Sequence, residues 1–312
     1  MADYLVTGGC GFIGSHLADG LVAAGHGVRI LDDLSTGRRE NALEAAEIII
    51  GDVADAAVVQ AAMAGMDGCF HLAAIASVQR SVEDWTGTHR VNLTGAINVF
   101  DSARHGAARQ GRAGAVPVVY VSSAAVYGDN DQVPLAEDAA TRPLTAYGAD
   151  KLGCELHARV ASHVHGVPTR GLRFFNIYGP RQDPKSPYSG VISIFTDRIK
   201  AGQAVDIHGD GGQTRDFIFV SDAVRFLLRA MEGPPPGPEL FNVCTGITTS
   251  IEDLAQILMD ISGNRVELRH VDARPGDIRA SVGNPEQARR ELGITTQVPV
   301  AEGLKQTYES LT

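Results

Sequence analysis

Tyr4-Leu5-Val6-Thr7-Gly8-Gly9-Cys10-Gly11-Phe12-Ile13-Gly14 carries the deciding pattern. Tyr4-Leu5-Val6 is a β-prone run that stops at Thr7-Gly8-Gly9. Over 12–24 the apolar residues Phe12, Ile13, Leu17, Leu21 and Val22 then recur at helical spacing. Gly25-His26-Gly27 ends that helix, Val28-Arg29-Ile30-Leu31 reads as the next strand, and Asp32-Asp33 closes it. Strand, glycine turn, helix, strand, acid is one βαβ unit. Gly8, Gly11 and Gly14 are spaced G-x-x-G-x-x-G, with Gly9 in addition, a departure from G-x-G-x-x-G. The physics is unchanged. A turn without side chains lets the backbone approach a pyrophosphate, which rests on the N–H groups of the helix start, here Phe12, Ile13 and Gly14.

Working outward, Asp32 lies 21 residues after Gly11, at the end of the second strand. A carboxylate there accepts hydrogen bonds from ribose hydroxyls and repels a 2′-phosphate, so NAD is favoured over NADP. Asp33, Ser35 and Gly37 are assigned to the same turn, and Arg38 and Arg39 read as a solvated surface pair. Gly51-Asp52-Val53 ends the third strand. There Asp52 is placed to reach the adenine amino group or to cap the following helix.

The alternation continues with strands at 47–50, 68–72, 117–121 and 169–174 and helices at 55–63, 82–110 and 146–165. This is the α/β pattern of a Rossmann-type doubly wound parallel sheet. After Asn176 shorter mixed elements and a Pro- and Gly-rich loop at 179–190 predict a smaller C-terminal α/β lobe for substrate. The expected division is 1–175 for the NAD-binding domain and 176–312 for the substrate lobe, with the chain crossing back near 215–245.

Tyr147-Gly148-Ala149-Asp150-Lys151 is Y-x-x-x-K, which puts phenol and ammonium on one helix face. The ammonium favours phenolate, the form that removes a proton from an alcohol. The motif is common by itself. Its position after the fifth strand of a nucleotide fold makes Tyr147 and Lys151 catalytic candidates as well as cofactor contacts. Ser122-Ser123 ends that strand, where open α/β sheets bind ligands. Ser123 is read as catalytic and Ser122 as positional, in contact with the cofactor. Leu72, Ala73 and Ala74 end the fourth strand and suit a backbone passing close to the cofactor, whereas His71 before them reads as structural.

With 37 acidic residues against 27 Lys and Arg, the formal net charge is -10, which disfavours a nucleic-acid partner. The cysteines Cys10, Cys69, Cys154 and Cys244 form no C-x-x-C pair, and the histidines form no ligand set, so neither disulfides nor a metal are expected. No run reaches the ~20 apolar residues of a membrane span. The first residues lack a basic, apolar leader, so the expected location is cytoplasmic.

Together with His71-Leu72-Ala73-Ala74, the runs Ser122-Ser123-Ala124-Ala125-Val126-Tyr127-Gly128, Arg173-Phe174-Phe175-Asn176-Ile177-Tyr178-Gly179-Pro180-Arg181 and Arg215-Asp216-Phe217-Ile218-Phe219-Val220 extend these motifs over nearly the whole chain. They resemble the extended short-chain dehydrogenase/reductase family, most closely its branch of UDP-sugar 4-epimerases. The resemblance implies an NAD-dependent isomerase that inverts C4 of UDP-hexoses through a 4-keto sugar. It implies that Ser123, Tyr147, Asn176, Arg215, Arg274 and Asp277 meet the substrate, and that the small Ser281 admits an N-acetyl group at C2. It also implies a homodimer built from the helices at 82–110 and 146–165. Ala124 and Ala125 stand where related dehydratases carry an acid, which argues against elimination. The alternatives are another nucleotide sugar, such as a UDP-uronic acid, and a non-catalytic NAD-sensing protein.

Overall fold

The structure, a computed structural model, describes residues 1–106, 114–182, 190–233, 239–273 and 278–311. The chain runs through β1 (Asp3–Thr7), α1 (Phe12–Ala23), β2 (Gly27–Asp32), β3 (Glu47–Ile50), α2 (Ala56–Met63) and β4 (Gly68–His71). It continues through α3 (Val78–Glu83), α4 (Trp85–His89), α5 (Gly95–Gly106), β5 (Val118–Ser123), α6 (Ala146–His165) and β6 (Thr169–Phe174). It then leaves for β7 (Asn176–Tyr178), α7 (Val191–Lys200), β8 (Val205–His208), β9 (Thr214–Arg215), β10 (Phe217–Phe219) and α8 (Val220–Met231). It returns as β11 (Glu239–Val243), followed by β12 (Thr249–Ser250), α9 (Ile251–Ser262), β13 (Leu268–Val271) and β14 (Ala280–Ser281).

Seven strands form one sheet in the order β11-β6-β5-β4-β1-β2-β3, and every pairing is parallel. Adjacent residues of each strand serve opposite faces, as the pleat requires. Val6, Ile30, Phe70 and Val119 pack with Leu17 and Leu21 of α1 and Phe226 and Leu227 of α8. Leu5, Leu31, Cys69 and Val118 pack with Val59 and Met63 of α2, Val99 and Phe100 of α5 and Ala158 of α6. With both faces buried, these strands read as continuous apolar runs. Each fully buried aliphatic chain contributes roughly 1.5–3 kcal/mol of transfer free energy.

The helix expected over 82–110 is divided. Asp84 ends α3 and caps α4, its Oδ1 accepting the Gly87 N–H at 3.0 Å. A π-helical turn, Arg90–Thr94, joins α4 to α5. Inside that turn the Asn92 side chain accepts the Ile75 N–H at 2.7 Å and donates to the Ile75 carbonyl at 3.2 Å. The helix thus gives up regularity to hold the chain leaving β4. Residues 107–110 of the expected helix, the core of the 179–190 loop and the 234–238 connection lie outside the described residues.

The second lobe has its own core, with Tyr178, Phe195, Ile199, Ile207, Phe217 and Leu254 in contact. Among its described residues there is no large sheet. Its strands pair in twos and threes: β10 with β7, β13 with β8, and β12-β9-β14. No described helix is long and apolar enough to cross a membrane, and the described residues contain no cluster of metal-ligating side chains.

Candidate active site

From β1 the chain moves outward to β2 and β3, then resumes on the other side of β1 at β4. Connections leave β1 and β4 in opposite directions, which opens a crevice beyond their carboxyl ends. A cavity of about 390 Å³ lies there. Among the residues lining it are Gly8, Gly11, Phe12, Ile13, Gly14, Asp32, Asp33, Ser35, Val53, Leu72, Ala73 and Ala74, together with Ser122, Ser123, Tyr147 and Lys151.

The glycine turn is shaped by close approach. Gly8 has φ 71°, the left-handed region that favours glycine, and a Cβ there would stand 2.7 Å from the Ala73 nitrogen. A Cβ on Gly14 would run into the Gly8 carbonyl. Gly11 caps α1 without a side-chain hydrogen bond, so the first-turn N–H groups have no side-chain cap. Asp32 organises this turn from below. Its two oxygens accept the Cys10 N–H and the Leu34 N–H, both at 2.9 Å, and burial raises its pKa. Asp33 is exposed at the rim and accepts from the Ser35 N–H and hydroxyl at 2.9 and 2.6 Å.

Two of the cofactor candidates from the sequence stand outside the lining. Gly37 packs against Asp32, and a Cβ there would be 2.8 Å from Oδ1. Asp52 does not line the cavity. It pairs with Arg90 at 2.7 Å and accepts the Ala54 N–H at 2.8 Å, while its neighbours Gly51 and Val53 face the cavity. Nor does Asp52 cap α2. Asp55 does, accepting the Ala57 and Val58 N–H groups.

At the end of β5 the Lys151 ammonium donates to the Val121 carbonyl at 2.9 Å and lies 5.9 Å from the Tyr147 ring centre. Thr145 starts α6, its hydroxyl accepting the Gly148 N–H at 3.1 Å, which sets Tyr147 in the first turn. Ser123 lines the cavity and also accepts the Ala125 N–H at 3.2 Å. Ser122 is fully buried and donates to Glu155 at 2.5 Å. His71 is buried with its Nδ1 2.8 Å from the Thr7 hydroxyl. Burial, with the Lys151 charge second, lowers its pKa to about 3, so the ring is a neutral structural piece.

A second cavity of about 320 Å³ lies within the lobe. Asn176, Arg198, Asp206, His208, Gln213, Arg215 and Phe217 line it. Arg215 donates to the Thr214 carbonyl of its own strand at 2.9 Å and to the Ile278 carbonyl at 2.7 Å. Asp216, fully buried beside it, accepts from Thr245, Gly246 and Gly283 and so ties β9, β11 and β14 together. Ser281 pairs with Arg215 across β14 and β9 and lines neither cavity, so the room it was expected to leave for an N-acetyl group is not part of either. Arg274 and Asp277 lie outside the described residues. Sequence reading missed Ile75, Ala76, Phe175 and Ile177 in the first cavity and Arg198, Asp206 and His208 in the second. Ile75 and Ala76 simply continue the Leu72–Ala74 run. Phe175 and Ile177 lie in the Arg173–Arg181 run, and Arg198, Asp206 and His208 carry no local signal.

Residues 4–244 match the NAD dependent epimerase/dehydratase family. The chain belongs to that family. It is 38% identical to a UDP-glucose 4-epimerase of Mycolicibacterium smegmatis, over 98% of this chain and 97% of the relative. Among solved structures it is similar to a UDP-glucose 4-epimerase of Thermotoga maritima with UDP-glucose, at 35% identity and TM-score 0.92, covering 99% and 98% of the two chains. It is likewise similar to a UDP-N-acetylglucosamine 4-epimerase of Methanobrevibacter ruminantium in complex with UDP-N-acetylmuramic acid, at 33% identity and TM-score 0.92, covering 99% and 98%.

Proposed function

We propose that the protein inverts C4 of UDP-hexoses, interconverting UDP-glucose and UDP-galactose and their N-acetylated counterparts through a 4-keto sugar. One observation carries the reading: Ser123, Tyr147 and Lys151 share a cavity with the glycine turn. A non-catalytic NAD sensor has no need of that set. The names of the similar proteins support the substrate class.

The residues present fit NAD, because Gly8, Gly11 and Gly14 line the cavity at the start of α1, whose first-turn N–H groups have no side-chain cap. The backbone of Gly11 to Gly14 would hold that pyrophosphate, with Asp32 and Asp33 toward a ribose and Leu72–Ala74, Ser122 and Lys151 toward the far end. When bound, NAD supplies a transient oxidation at C4, so the net redox state is unchanged. The chain's own residues do the rest. Tyr147 takes the proton of the 4-hydroxyl and later returns it, acting as general base and then general acid. Ser123 hydrogen-bonds the same oxygen. Lys151 places a positive charge beside the developing phenolate. Asn176 and Arg215 hold the nucleotide, joined on sequence grounds by Arg274 and Asp277, so that the keto-hexose turns over while the diphosphate stays anchored. Ala124 and Ala125 offer no acid for elimination.

Incubation with UDP-galactose and, separately, UDP-N-acetylgalactosamine, with the epimers resolved by chromatography, tests this. Conversion of both is expected. Conversion of neither by NAD-loaded protein sinks the reading, and conversion of UDP-galactose alone removes the N-acetyl part.

A homodimer is proposed through α5 and α6, whose Ile97, Leu156, Val160 and Val164 are exposed apolar side chains, the last three at i, i+4 and i+8. Sedimentation of Val160→Arg is expected to give monomer where the unaltered protein gives dimer. An unshifted boundary would place the contact elsewhere.

A further inference from the structure

Tyr147, Lys151 and Glu155 recur every four residues along α6 and share one face. Two consecutive residues of β5 receive the two polar heads: the Val121 carbonyl takes Lys151, and the Ser122 hydroxyl donates to Glu155. An acid four residues from an ammonium, both buried, is the natural partner for it. Yet Glu155 is turned to Arg173 of β6, which donates to both its oxygens at 2.9 and 2.8 Å. This fork is the most deeply buried ion pair among those described, its side chains 4% and 8% exposed. Arg173 is itself fixed by the Tyr127 hydroxyl at 2.8 Å and the Glu137 carbonyl at 2.9 Å, and its guanidinium lies over the Tyr127 ring.

We propose that Arg173 is a positioning residue for the epimerisation: it withholds the Glu155 carboxylate from Lys151, so that the ammonium acts on Tyr147. The other ionisable groups around Lys151 leave it in that role. On α6, Asp150 is bound to His89 of α4 at 2.8 Å, and Cys154 is a buried thiol whose pKa is raised to about 11 by burial. From β4, His71 is neutral, and from β5, Tyr120 is buried with its pKa raised. Glu137, beyond Arg173, has its pKa raised by burial and accepts the Asn242 N–H at 2.8 Å. Glu155 is thus the one acid on the Lys151 face of α6 whose restraint depends on a single cation. Without Arg173, a Lys151–Glu155 pair four residues apart would draw the ammonium off Val121 and cancel its field at the phenol.

The proposal rests on reading Tyr147 as the acid–base residue. The test reads Tyr147 directly, by ultraviolet difference titration of phenolate, with each protein paired against its Tyr147→Phe form so that one tyrosine is isolated. The pH profile of kcat/KM with UDP-galactose accompanies it. Arg173→Gln is expected to move the Tyr147 midpoint up by about one pH unit, the lower end of what an opposite charge within 4–6 Å supplies. Arg173→Gln/Glu155→Gln, a neutral pair of similar shape, is expected to return it. An unmoved midpoint in the single variant, or a shift that persists in the double variant, overturns the proposal and leaves Arg173 with a packing role only. Where Arg173→Gln does not fold, Glu155→Gln decides: a midpoint at or below that of the unaltered protein agrees, and a raised one overturns it. If Tyr147→Phe turns over as fast as the unaltered enzyme, the acid–base reading fails instead, a result the titration midpoints do not produce.

Discussion

In the cavity beyond β1, β4 and β5, the lining comes in short runs: 11–14, 72–76 and 121–123. The cavity around Arg215 is lined by scattered residues from β7, α7, β8, β9, β10 and the start of α9. The first site is made where parallel strands stop, and the sheet aligns those stops whatever follows. The second depends on packing between elements far apart in sequence, tied by single groups such as Asp216. Local geometry builds the first site, and long-range contacts build the second.

The largest expected effect tests the first. Tyr147→Phe keeps the ring and removes the hydroxyl, and a loss of about 10²–10⁴-fold in kcat is expected with NAD affinity retained. Turnover within tenfold of the unaltered enzyme would remove the end of β5 from the chemistry. Next comes the second site. Arg215→Met should raise the KM for UDP-galactose by roughly 10–100-fold, as expected from a lost charge-assisted contact of about 1.5–3 kcal/mol, with little change in NAD binding. If NAD affinity falls as much as KM rises, the two cavities are not separable and the comparison breaks.

The last effect concerns stability. The His71 pKa is lowered to about 3 in the fold, against about 6.5 unfolded. Between those values the unfolded chain binds more protons, so stability falls as pH drops from about 6.5 toward 3, by up to ~1.4 kcal/mol per unit. The pKa values of Asp32 and Asp216 are raised by burial, which has the opposite sign. The comparison is therefore between the protein and His71→Asn, which keeps a polar group facing Thr7. Thermal melts from pH 7 to 4 should lose some of their acid slope in the variant. Equal slopes would mean that the β4 end is not the acid-sensitive point.

The same contrast explains what the sequence made legible. The βαβ opening, the glycine turn and Tyr147–Lys151 were readable because each is a local pattern with a fixed period. That Asp52 stands outside the cavity lining was not legible, because strand-end position says nothing about which way a side chain turns once Arg90 is nearby. The helix over 82–110 was read as continuous because the reach of Asn92 back to Ile75 spans 17 residues and leaves no mark on periodicity. Arg198, Asp206 and His208 enter the second cavity only through the packing of the lobe. Arg215 and Asn176, which line the same cavity, were singled out by family resemblance, and no spacing rule marks them.

The return of the chain as β11 bears on how the protein can be made. Thr169–Phe174 is buried along its whole length, and one flank of it is covered by residues 239–243, which follow much of the second lobe. During synthesis β6 therefore waits as an open edge of unpaired backbone groups while some sixty further residues emerge, the condition in which strands join neighbouring chains. A fragment cut after β6, though it holds every glycine of the turn and both Tyr147 and Lys151, would keep that edge permanently and would be expected to aggregate.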